Sequence, residues 1–180
     1  GQVTISALRK HANPKAIISS ARYPEQKNLA TKLGADMVVE PNEIHRAVRR
    51  VCGTRAIANV SEKGPQGRVD RLTGGADVVI DCVGSSQSIS NALAITKPKG
   101  RIVLVGMPSI VELELTPLWH RELQMVGAYT YGTEVLKDGK TASTFDLAFE
   151  LVETAKLEEL VSACYPLDDY QEALKHAANA

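Results

Sequence analysis

The sequence predicts an α/β protein built on a doubly wound parallel sheet. Two segments carry that prediction, Gly75-Ala-Asp-Val-Val-Ile-Asp-Cys-Val-Gly84 and Gly100-Arg-Ile-Val-Leu-Val-Gly-Met-Pro108. Each is an apolar run too short for a helix, and each ends on glycine. Between them Ser85 to Thr96 is amphipathic. Strand, helix, strand is how a parallel sheet with crossover helices reads in sequence. The glycines fall at the carboxyl ends of the strands, the edge where open α/β sheets bind ligands. A residue without Cβ lets a cofactor approach the backbone there. A nucleotide-binding sheet is expected.

The other elements follow in order. Val3, Ile5, Ala7 and Leu8 predict a short helix that ends near His11-Ala-Asn-Pro14, where Asn-Pro signals a turn. Ala16 to Ala21 reads as a buried strand. Pro24 opens a helix at its first turn, Leu29, Ala30 and Leu33 give it an apolar face, and Gly34 ends it. Met37 to Val39 is a short strand. Asn42 is expected to cap a third helix, with Ile44, Ala47, Val48 and Val51 inward and His45, Arg46, Arg49 and Arg50 outward. Gly53 to Gly74 reads as a surface excursion holding one short helix or strand. Trp119 to Leu123 predicts a short helix, Leu123 to Ala128 a strand, and Phe145 to Leu157 an amphipathic helix. Val161 to Tyr165 reads as a strand, and Asp168 as the cap of a last helix.

Composition narrows the function. The 180 residues, 44% apolar, suffice for one ordinary core. Lys plus Arg number 21 and Asp plus Glu 21, with no basic stripe, which argues against a nucleic-acid partner. No apolar run reaches the ~20 residues that span a bilayer. Cys52, Cys82 and Cys164 are scattered, with no C-x-x-C spacing, as in a reduced cytoplasmic protein without a zinc cluster.

One element is missing from the pattern. A dinucleotide fold opens with a strand, a G-x-G-x-x-G turn and a helix, and that first strand is central in the sheet. Here the helix follows Gly1 directly. Without the strand, two facing edges would carry unpaired backbone. The expectation is a piece of a longer polypeptide.

Several motifs in order resemble the zinc-type, medium-chain alcohol dehydrogenases. Ala21-Arg-Tyr-Pro-Glu-Gln-Lys-Asn-Leu-Ala-Thr-Lys-Leu-Gly-Ala-Asp36 is similar to the family's second strand end, following helix and L-G-A-D turn. Gly75 to Pro108 resembles its fourth and fifth strands, and Trp119 to Tyr129 its sixth strand with the approach. Tyr165-Pro-Leu-Asp-Asp-Tyr-Gln-Glu-Ala-Leu174 resembles the return into the catalytic domain. The resemblance implies a Rossmann-type domain over residues 1–135, lacking its first strand and most of the glycine loop. Residues 136–180 would form a C-terminal helix-strand-helix. Gly1 would be the third glycine of the loop. The implied reaction is hydride transfer between an alcohol and an aldehyde or ketone, with NADP(H) or NAD(H). The implied catalytic zinc would be held by a preceding domain, so this chain is expected to contain no catalytic residue and no metal ligand, and to be inactive alone.

The carboxyl end of the second strand selects the dinucleotide. NAD sites place an acidic residue there, about 20 residues past the glycine motif, for the ribose 2′-hydroxyl. This chain has Ala21 and then Arg22, whose guanidinium can grip a 2′-phosphate. NADP(H) is therefore expected over NAD(H), with Ser20 and Lys27 as helpers. Gly1, Gln2 and Val3 would flank the pyrophosphate at the helix N-terminus. By the resemblance, Val83, Gly84, Val105, Gly106 and Met107 would line the adenosine and nicotinamide ribose, and Ala128, Tyr129 and Thr130 would meet the nicotinamide amide.

His11, His45, His120 and His176 lack partners at metal spacing and read as surface or packing residues. Asp81 reads as a carboxylate satisfying nearby backbone, and Cys82 as a small core residue. Val111-Glu-Leu-Glu-Leu115 alternates as a strand or extended segment with one buried face would. In the resembled family, strands following this region pair across a two-fold axis, so the resemblance implies a homo-dimer or tetramer. The rival readings are a zinc-independent quinone or enoyl reductase of the same superfamily, a non-catalytic dinucleotide-binding or structural protein and, more weakly, a methyltransferase.

Overall fold

The computed structural model describes residues 1–57, 63–64, 67–68, 71–155 and 157–179. Helix α1 (Gln2–Ala7) runs into a wider π-helical turn, Leu8–Ala12, which Asn13 ends in the left-handed conformation at φ 44°. Strand β1 (Ile18–Ser20), helix α2 (Pro24–Lys32) and strand β2 (Met37–Val39) follow, with β1 and β2 parallel. A short 3-10 turn, Pro41–Glu43, then leads into α3 (Ile44–Cys52). Its cap is Glu40, whose side chain accepts from the Glu43 backbone while Glu43 reaches back, so Asn42 does not cap. Val51, expected inward, is 40% exposed, and His45, expected outward, meets Asn91 at 3.3 Å.

The expected surface excursion contains a two-residue hairpin, β3 (Lys63–Gly64) and β4 (Gly67–Arg68). Residues 58–62, 65–66 and 69–70 of that reading lie outside the described residues. Its far end is core: Leu72 is 2% exposed and bridges to Ala56.

Strands β5 (Ala76–Asp81), β6 (Thr96–Leu104) and β7 (Gln124–Gly127) form a parallel sheet in the order β5-β6-β7. Helix α4 (Ser86–Ile95) crosses from β5 to β6, and α5 (Thr116–His120) precedes β7. A hairpin, β8 (Thr133–Val135) and β9 (Thr141–Ser143), leads to α6 (Thr144–Thr154). The last helix is α7 (Tyr170–Ala178). It follows a 3-10 turn, Leu167–Asp169, so Asp168 lies within that turn and caps nothing.

Val161 to Tyr165 is not a strand; Val161 is 62% exposed, and among the described residues no strand pairs with it. Val111 to Leu115 is not a strand either; Val111 and Leu113 pack partly buried on the core, but Leu115 is 49% exposed, so the expected buried face is incomplete.

The architecture is α/β and Rossmann-like, with its sheet in two pieces. Among the described residues β1-β2 and β5-β6-β7 are not hydrogen-bonded to each other. Ile18 of β1 and Val79 of β5 nevertheless pack on one cluster, Val48, Leu72 and Ile95, under α3 and α4. A second cluster joins Ile5 of α1 to Ile17, Ala30, Leu33 and Ala35. A third, Ile89, Ala92, Leu93, Ile102 and Leu123, seats α4 on the three-stranded sheet. Burial of these side chains, at roughly 25 cal/mol per Å² of apolar surface, is the main force holding helices to strands.

Candidate dinucleotide site

The strand ends and the start of α1 converge on one edge. Thr4 Oγ1 lies 3.6 Å from Cys82 Sγ, and a Cβ placed on Gly1 would sit 3.9 Å from the Cys82 Cβ. The N-terminus of α1 thus rests on the carboxyl end of β5. Gln2 Nε2 donates to the Gln26 carbonyl at 3.0 Å, which ties the same helix end to the first turn of α2. Gly1, Gln2 and Val3 are therefore gathered with the carboxyl end of β5 and the first turn of α2.

At the end of β5 the buried Asp81 carboxylate, in a residue 5% exposed, organises the turn. It accepts from the backbone N–H groups of Val83 at 3.0 Å and Gly84 at 3.2 Å, and from Ser88 Oγ at 3.2 Å. The expectation for Asp81 is met by these bonds. Gly84 has φ 78°, and a Cβ on Gly106 would come within 2.6 Å of the Gly84 nitrogen. The two strand-end loops press backbone to backbone, so both glycines are required by packing alone. Beside them Val83 is 71% and Met107 84% exposed, and Val105 is partly open. Ala128 N–H donates to the Leu104 carbonyl at 2.9 Å, which sets Ala128, the exposed Tyr129 and Thr130 (φ 67°) beside Val105.

At β1, Ser20 is exposed and Ala21 is buried with its N–H on the Val39 carbonyl at 3.0 Å. Arg22 is exposed and has no hydrogen-bond or ion-pair partner among the described residues. Lys27 differs: its ammonium is paired with the Glu40 carboxylate. Two contributors escaped sequence reasoning. Thr4 carried no signal, whereas Glu40 was legible as the first residue of a Glu-x-x-Glu capping pattern.

The described residues bring no three His, Cys, Asp or Glu side chains together as a metal site. His120 packs edge-on against Trp119 and His176 bonds Tyr165 Oη at 2.7 Å. No helix among the described residues is long and apolar enough to cross a membrane.

The fold and the gathered strand ends define a Rossmann-type nucleotide-binding unit, and comparison with known proteins places it. The family described as zinc-binding dehydrogenase matches residues 1–153, and the chain belongs to that family of oxidoreductases. The sorbitol dehydrogenase of Arabidopsis thaliana is 27% identical over 161 residues, covering 88% of this chain and 37% of the relative. A zinc-binding dehydrogenase-type protein of Sinorhizobium meliloti 1021, solved bound to NADP, is 27% identical with a TM-score of 0.51, covering 71% of this chain and 34% of that one. Benzyl alcohol dehydrogenase from Acinetobacter calcoaceticus shares the fold at a TM-score of 0.70 and 15% identity, covering 100% of this chain and 44% of its own. The chain spans about a third of the length of the curated relatives it matches.

Proposed function

We propose that this chain is the cofactor-binding part of a zinc-dependent alcohol or polyol dehydrogenase that uses NADP(H) in preference to NAD(H). The observation that carries the cofactor choice is Arg22, exposed and unpartnered beside Ala21, where an NAD site would hold a carboxylate. NADP in the Sinorhizobium meliloti relative supports the same reading. Gly1, Gln2 and Val3 would flank the pyrophosphate. Val83, Gly84, Val105, Gly106 and Met107 would line the riboses, and Ala128, Tyr129 and Thr130 the nicotinamide. The proposed division is a dinucleotide domain over 1–135 and a C-terminal segment over 136–180.

The bound nicotinamide would supply hydride chemistry, while this chain would hold the ring and ribose at the strand edge. Zinc would polarise the substrate oxygen in such an enzyme, but the residues described here do not fit a zinc site, so its ligands would lie elsewhere in the protein. The substrate would be a small alcohol or carbonyl compound, the assembly a homo-dimer or tetramer, and the setting cytoplasmic.

Titration of the purified protein with NADPH and NADH, followed by nicotinamide fluorescence, tests the cofactor choice. NADPH is expected to bind more tightly, and Arg22→Ala to weaken it about ten- to a hundredfold, the scale of a charge-assisted bond. Tighter binding of NADH would refute the assignment. Turnover on a panel of alcohols and polyols separates an enzyme from a binding protein.

A further inference from the structure

We propose that Lys27 tunes the choice of dinucleotide by neutralising Glu40 and not by contact with the cofactor. The inference rests on the dinucleotide reading of the β1 edge.

The register of the first sheet piece sets Ser20 opposite Val39, and the Ala21 N–H bonds the Val39 carbonyl. Glu40, the next residue, therefore stands beside Ala21. A carboxylate is present at the selecting edge after all, supplied by the residue that follows the neighbouring strand. It is fixed there independently of Lys27, because it accepts from the Glu43 backbone as the cap of the 3-10 turn. Glu43 adds a second carboxylate, on the Glu40 N–H at 3.3 Å, and Glu25 a third in the first turn of α2. A 2′-phosphate brought to this edge would meet like charge, which Arg22 and Lys27 would offset.

Lys27 lies one turn into α2, its N–H on the Tyr23 carbonyl at 3.0 Å, and its ammonium is paired with Glu40. Its side chain is 33% exposed and that of Glu40 41%, so the pair adds little to stability. Its effect is on local potential. Removing Lys27 leaves Glu40 in place and charged beside the phosphate position, whereas removing both returns the edge to neutrality.

The test is a double-mutant cycle read as NADPH and NADH affinity of the purified protein at low salt. Lys27→Met is expected to weaken NADPH about tenfold, with a much smaller effect on NADH, and the loss should shrink as salt is added. Glu40→Gln keeps an oxygen for the Glu43 N–H and should bind NADPH at least as well as wild type. The double variant should return to within about twofold of Glu40→Gln. A double variant as weak as Lys27→Met would overturn the proposal, since Lys27 would then be touching the phosphate itself. An unchanged Lys27→Met would overturn it too. Both failures leave the site standing, whereas wild type that binds neither dinucleotide removes the site and the pair together. Melting temperatures identify any variant that fails to fold, and Lys27→Gln then replaces Lys27→Met.

Discussion

Arg121 is 6% exposed, and its guanidinium joins two segments. It donates to the Ala94 carbonyl at 2.9 Å, near the end of α4, and to the Gly74 carbonyl at 2.7 Å, just ahead of β5. Its own carbonyl accepts from Lys99 N–H at 2.8 Å. Burial pushes the guanidinium pKa down, and the nearby Arg71 adds like-charge repulsion, yet arginine keeps its proton in such sites. Arg121→Met preserves much of the stem and strands two carbonyls. We expect a loss of about 2–4 kcal/mol in urea denaturation, with Arg121→Lys recovering part of it. A loss below 1 kcal/mol, roughly the worth of an ordinary hydrogen bond, would mean that water satisfies those carbonyls. Sequence reading passed over Arg121 because arginines are ordinarily solvated, and nothing local marks one that reaches back to the end of an earlier helix.

Helix α4 shows how much an element owes to its first residues. Ser85 Oγ accepts from Ser88 N–H at 3.1 Å and Ser88 Oγ accepts from Ser85 N–H at 3.0 Å, a capping box closed by serine. Since Ser88 also donates to Asp81, the cap and the strand-end turn are one network. Ser85→Ala should cost about 1 kcal/mol, seen as a lower melting temperature with the helix retained. An unchanged melting temperature would show that the Asp81 turn alone holds the helix start. At this scale the sequence was most legible where a buried face imposes a period. The strands at Met37 to Val39 and Ala76 to Asp81, and helices α2 and α4, lie where the pattern puts them. Legibility failed where no face is buried. Thr133 to Val135 is exposed throughout, so β8 and β9 left no alternation to read, though Asp138-Gly139, with Gly139 at φ 82°, was a turn signal for a hairpin. Val161 to Tyr165 is the converse, an apolar composition that pairs with no described strand. Of the candidate site, the strand-end residues were found from their glycines, but Glu40 follows a neighbouring strand, and only the register sets it beside Ala21.

Three exposed carboxylates of the molecule favour their charged form, each worth little alone. Asp36 is held below the usual carboxylate range chiefly by the Ile17 N–H, at 2.6 Å; burial opposes this, and Arg9 lowers it further. Lys97 lowers Asp77, and Lys10 lowers Glu150, which joins α6 to the turn after α1. A depressed folded-state pKa means stability that is present above the unfolded value and lost as pH falls through the folded one. Melting temperature should therefore hold between about pH 6 and 8 and drop below about pH 4. The triple variant Asp36→Asn, Asp77→Asn, Glu150→Gln should show a shallower drop. An equally steep drop would assign the acid response to other carboxylates. The division of the sheet also bears on the order in which structure forms. Each piece joins strands that are neighbours in the chain, β1-α2-β2 and β5-α4-β6-α5-β7, so neither waits for a distant pairing and loop closure is short within each. Val48 of α3, with Leu72 and Ile95, is the hinge of their later union, touching Ile18 on one side and Val79 on the other. Loosening that cluster would let the halves part while each kept its own ladder, so a cooperative boundary between them runs beneath α3.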